Sequence, residues 1–79
     1  MNADKMFEKM GFEKKEYLSE LCFEKLNFDM VTKSSICFDY NEQIPYFYIE
    51  CDEDDCEVCF PLSKDLLKAI NKKLKELGW

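Results

Sequence analysis

Between Ser34 and Cys51 the side chains change character every second residue, and this alternation constrains the fold more than any other feature of the chain. In SSICFDY, Ile36, Phe38 and Tyr40 fall on one side of an extended strand. NEQIP then turns the chain. Pro45 stands at the mouth of the next strand, where its missing N–H is tolerated. YFYIEC places Phe47, Ile49 and Cys51 on one side, with Tyr46, Tyr48 and Glu50 on the other. After DEDD, the run CEVCFPL returns with Val58, Phe60 and Leu62 on a common face, and Pro61 ends that strand or puts it at an edge. The centre of the chain therefore reads as antiparallel strands.

At both ends the period lengthens to that of a helix. Ala3, Met6, Phe7 and Met10 form one apolar stripe, Asn2 can cap its start, and Asp4 sits in the first turn. Gly11 is placed for the left-handed position that ends a helix, with Phe12 folding back as its apolar contact. In SKDLLKAINKKLKELGW, Ser63 is the N-cap and Asp65 lies in the first turn. Leu66, Leu67, Ile70, Leu74 and Leu77 fill one arc, and Lys64, Lys68, Lys72 and Lys75 fill the opposite one. Gly78 stops this helix. Residues 13–28 are ambiguous: Tyr17, Leu18, Leu21, Cys22 and Leu26 match a helical face, while Leu21 and Phe23 alternate with Cys22 and Glu24 as in a strand. Local pattern leans helical. The expectation is a single α+β domain over residues 1–79, in two layers. A short N-terminal helix, an antiparallel sheet of three or four strands and a C-terminal amphipathic helix on one face would compose it.

Composition narrows the function. With 79 residues, 47% of them apolar and 15% aromatic, a compact core can form without staples. The apolar runs are far shorter than the ~20 residues that span a bilayer. The opening MNADKMFEKM lacks a signal peptide's apolar stretch, so a soluble, cytoplasmic protein is expected. There is no histidine, and all eleven basic residues are lysine. Without imidazole the chain lacks the usual acid–base catalyst near neutral pH, and a non-enzyme with no cofactor is expected. The net charge of −6 is uneven: residues 1–62 hold six lysines against fifteen carboxylates, whereas residues 63–79 hold five lysines against two. An acidic body disfavours nucleic acid and anionic membrane and favours basic partners.

Three of the five cysteines lie in CDEDDCEVC, residues 51–59. Cys56 and Cys59 have the spacing of a zinc knuckle, but Glu57 and Val58 read as strand, which would send the two thiols to opposite faces. A zinc-stabilised module using Cys51, Cys56 and Cys59 is the lesser reading, and plain thiols in a hairpin the greater. Cys51 and Cys56 flank a four-residue turn and could be joined under oxidising conditions. The acids lack the ligand spacing and glycine of a calcium loop. As a surface, Glu50, Asp52, Glu53, Asp54, Asp55 and Glu57 put six carboxylates into eight residues, a charge array that steers a basic partner. Tyr46 and Tyr48, on the face opposite Phe47 and Ile49, would stand beside it, either for recognition or packed against the N-terminal segment or a second subunit. The lysine arc of the last helix reads as its wet side rather than as a nucleic-acid contact.

The segments MFEKMGFEKKE, ICFDYNE with YFYIE, and above all LLKAINKKLKELGW resemble a group of small proteins encoded by phages and prophages of low-GC Gram-positive bacteria. The resemblance implies that residues 20–28 form a strand pairing with 34–40, against the local helical lean. It also implies a phage accessory role. The expected function is binding to a host or phage protein with a basic surface. Inhibition of a nucleic-acid-targeting defence complex such as a CRISPR effector is the concrete form of that expectation. Tyr46, Tyr48, Glu50, Asp52, Glu53, Asp54, Asp55 and Glu57 would form the contact. A plain homodimeric structural domain is a further alternative.

Overall fold

The computed structural model describes residues 1–27, 32–51 and 62–79. In chain order the elements are α1 (Ala3–Lys9), β1 (Glu13–Glu16), β2 (Glu20–Leu26), β3 (Thr32–Asp39), β4 (Ile44–Cys51) and α2 (Lys64–Leu77). The strands form one sheet in the order β1-β2-β3-β4, every neighbouring pair antiparallel. Both helices contribute to a single core on one face of that sheet, so the α+β two-layer architecture is as expected. The expected return strand over CEVCFPL lies outside the described residues, Leu62 excepted.

Residues 13–26 are two strands, not a helix. The Tyr17 amide donates to the Glu20 carbonyl at 2.9 Å and closes a tight hairpin between β1 and β2. The reason is tertiary. Leu21 and Phe23 are both needed in the core, and only a period of two points both of them inward past Cys22. Phe23 pairs with Ile36 and Leu21 with Phe38 across β2 and β3, as the resemblance implied.

Three phenylalanines organise the core. Phe7 of α1 stacks on Phe23 with ring centroids 4.1 Å apart. Phe38 meets both rings edge-on, at 6.3 and 6.1 Å. All three are essentially inaccessible to water, and burying each contributes about 1.5–3 kcal/mol. Ala3, Ile36, Leu66 and Ala69 complete the cluster.

Both helices end as their sequences foretell. The Asn2 side chain accepts from the Lys5 amide at 2.9 Å, and Ser63 accepts from the Leu66 amide at 3.1 Å. At the C-terminus of α1, Gly11 at φ 91° lets its amide reach the Glu8 carbonyl, while the Phe12 amide reaches Phe7. Gly78 at φ 76° repeats the device for α2, with the Trp79 amide donating to Leu74. The glycine-free interior of each helix needs no such relief.

The buried arc of α2 differs from the expected one. Leu67 is 43% exposed, whereas Ala69 and Lys73 are buried. The arc turns because α2 faces α1 as well as the sheet. Lys73 Nζ pairs with Asp4 Oδ1 of α1 at 2.9 Å and lies 4.0 Å from Glu76 Oε1. Asp4 Oδ2 in turn meets Lys14 of β1 at 3.0 Å. Glu76 also accepts from the Ala3 amide at 2.9 Å, satisfying a donor at the start of α1 that has no helical partner. A small ionic knot thus ties the two helices and the first strand together.

Candidate functional site

The face of the sheet away from the helices carries the side chains of alternate positions: Glu13 and Lys15 on β1, Glu20, Cys22, Glu24 and Leu26 on β2, Lys33, Ser35, Cys37 and Asp39 on β3, and Ile44, Tyr46, Tyr48 and Glu50 on β4. Among the described residues no helix or strand packs on it. Closure comes instead from its own long side chains. Tyr46 sits directly opposite Cys37, and Tyr48 opposite Ser35. The two rings stack 6.1 Å apart with 19° between their planes, and each remains more than a third exposed, at 37% and 38%. Cys22, Cys37 and Ser35, all small, are buried.

The tyrosines are held in place. Tyr46 Oη donates to Glu20 Oε2 across β3 in a short contact. Accepting that bond favours the protonated phenol, so the carboxylate of Glu20 and partial burial push the Tyr46 hydroxyl above its ordinary range. A second cluster lies further along the strands. Lys33 Nζ pairs with Glu24 at 2.8 Å and with Glu50 at 3.5 Å, and Tyr17 Oη donates to Glu24 at 3.3 Å. The Lys33 hydrogen bond, outweighing burial, holds the Glu24 carboxyl below the usual range. Glu24 in turn holds the Lys33 ammonium above its ordinary value.

Beneath the tyrosines, Cys22 and Cys37 face each other across β2 and β3 with their sulfurs 2.6 Å apart. Burial pushes both thiols up. Together with Glu20 they bring three potential ligand atoms within 4.8 Å of one another.

Of the contact residues expected from sequence, the structure brings Tyr46, Tyr48 and Glu50 onto this one face. Glu50 is exposed but shares Lys33 rather than standing as a free charge. Asp52, Glu53, Asp54, Asp55 and Glu57 lie outside the described residues, as do Cys56 and Cys59. Cys51, the last residue of β4, is disulfide-bonded. Sequence reasoning weighed Cys22 and Cys37 only as a fourth ligand for the zinc trio, and it did not single out Glu20, Glu24 or Lys33. For Glu20, Cys22 and Glu24 the signal was the strand alternation in ELCFEKL, outweighed by good helix formers. No described helix is long and apolar enough to cross a membrane. Comparison with protein-family models, curated proteins and solved structures finds no match to this chain.

Proposed function

We propose that this chain is a non-catalytic binding protein that offers the open sheet face, centred on Tyr46 and Tyr48, to a basic surface on another protein. The observation that carries this reading is the stacked, exposed tyrosine pair, pinned by a hydrogen bond to Glu20. Tyrosine brings large contact area with few rotatable bonds, and a ring already fixed has little freedom left to lose on binding. Charge supplies the partner's sign. Around the tyrosines the described face holds Glu13, Glu20, Glu24, Asp39 and Glu50 against Lys15 and Lys33, and the sequence that follows Cys51 is acidic. Such a field speeds encounter with a cationic surface and rejects an anionic one. Proteins that grip nucleic acid present cationic grooves. The likeness to small phage and prophage proteins supports a defence complex of that kind as the target.

The test is capture of a partner by the tagged chain in its host, followed by measured binding of the purified pair. The expected result is an affinity that falls steeply with salt and drops at least tenfold in the Tyr46→Ala/Tyr48→Ala double variant, with the circular-dichroism spectrum at the binding temperature unchanged. A partner that binds the double variant as tightly as the parent would end the proposal.

A further inference from the structure

The backbone bonding between β2 and β3 gives the buried cysteines a special position. The Tyr40 amide donates to Ser19 at 3.1 Å, and the Asn27 amide donates to Thr32 at 2.9 Å. Bonded pairs in an antiparallel ladder alternate with non-bonded ones, and in this register every pair that includes an odd-numbered residue of β2 is bonded. Cys22 and Cys37 therefore form a non-bonded pair. Such pairs bring the two Cα atoms to about 4.5 Å, inside the span that a disulfide bridges. The sulfurs, 2.6 Å apart, stand about half an ångström beyond a covalent S–S bond of ~2.05 Å. Both residues are buried, so no solvent separates the sulfurs.

A metal reading of Glu20, Cys22 and Cys37 fits less well. Two thiolates on one tetrahedral zinc, at ~2.3 Å each, would stand nearly 4 Å apart. The carboxylate that would be the third ligand already accepts the Tyr46 phenol.

We propose that Cys22 and Cys37 are a covalent cross-link site, closing into a disulfide that staples β2 to β3 beneath the tyrosine pair. The reaction is exchange with a low-molecular-weight disulfide. One protein thiolate attacks it, forming a mixed disulfide and releasing one thiol. The second protein thiolate then displaces the remaining half. The protein gains one S–S bond, the oxidant's S–S bond is reduced, and the two protons lost by the cysteines end on the two released thiols. Burial and the raised thiol pKa values make the folded pair a poor nucleophile. Closure therefore belongs to chains whose β2–β3 pairing is still open, and the finished bond is shielded from reductant.

The test refolds the full chain from denaturant in a buffer of oxidised and reduced glutathione, then maps its peptides without reduction. The expected result is a Cys22–Cys37 linked peptide pair. A chain carrying Cys51→Ala, Cys56→Ala and Cys59→Ala should lose about 2 Da on oxidation. It should melt roughly 10–20 °C above its reduced form, as expected for a loop of this length in a small domain. That shift should vanish in the same chain with Cys22→Ala and Cys37→Ala added. Both thiols remaining free or glutathione-capped in the refolded parent would overturn the proposal, whatever the fate of the triple variant. One zinc held per reduced chain and lost in Glu20→Gln would overturn it in favour of the metal set.

Discussion

The two faces of this sheet use the same four strands and solve burial in opposite ways. Towards the helices, alternate residues of β2 and β3 are large and apolar, and α1 brings a third ring to stack on them. Away from the helices, the intervening residues are small or polar, and β4 folds two tyrosines over them. The first solution is paid in apolar area, the second relies on hydrogen bonds from phenols to carboxylates at a half-wet surface. Area removed from water dominates stability, whereas polar contacts near solvent add little net energy but fix geometry. The helix face should therefore carry the fold and the open face the recognition.

The sharpest way to break this comparison is to delete a ring from each side. Phe23→Ala removes the ring that touches both Phe7 and Phe38 and should cost about 3–5 kcal/mol, enough to leave a domain this small largely unfolded. Tyr48→Ala, at a residue 38% exposed, should cost far less, on the order of 1 kcal/mol. Urea denaturation followed by circular dichroism reads both. Equal losses would mean that the open face is core.

The next largest effect lies at the edge of the helix face, in the ionic knot. Burial pushes the Asp4 carboxyl up, but the hydrogen bonds and charges of Lys73 and Lys14 together outweigh it, and the net shift is below the ordinary value of 3.8. The folded state thus holds the ionised form more tightly than the unfolded chain does. Its contribution is complete above the unfolded pKa and disappears as pH falls through the folded one. Asp4→Asn should destabilise the domain by about 1–2 kcal/mol near neutral pH. This is less than the ~3–5 kcal/mol for breaking a fully buried pair, because the Asp4 side chain is 33% exposed. The gap between variant and parent should begin to close below about pH 5, where the unfolded carboxyl starts to protonate, and go on closing as pH falls through the lowered folded pKa. A gap that stays constant would assign the loss to packing rather than charge.

The helix face was legible in the sequence at its ends and obscure in its middle. Asn2, Gly11, Ser63 and Gly78 announce helix boundaries because caps are local: each acts on backbone groups a few residues away. β2 is not local. Glu20–Leu26 has helix-forming composition, and only partners at a distance, Phe7 and Ile36 among them, decide that it extends. The place of Lys73 was hidden for the same reason, since an isolated helical wheel does not show that α1 will bring Asp4 alongside. On the open face, Tyr46, Tyr48 and Glu50 could be assigned to one side from alternation alone. The pairing of Cys22 with Cys37 could not, because it depends on the register of two strands joined by a loop, and a slip of one residue would separate them.

The smallest effect tests whether the open face is fixed for recognition or merely for stability. Tyr46→Phe keeps the ring and its stacking on Tyr48 but removes the hydroxyl that donates to Glu20. The bond is solvent-exposed, so the variant should lose less than about 1 kcal/mol of stability. A double-mutant cycle with Glu20→Gln should give a coupling of only a few tenths of a kcal/mol. Binding should respond more strongly than folding, because a ring freed from its anchor must be ordered again when the partner arrives, at about 0.5–1.5 kcal/mol for an immobilised side chain. A partner affinity that falls by less than the stability does would place the hydroxyl in the service of the fold. A larger fall in affinity would make the Tyr46–Glu20 bond a device for holding the contact ready.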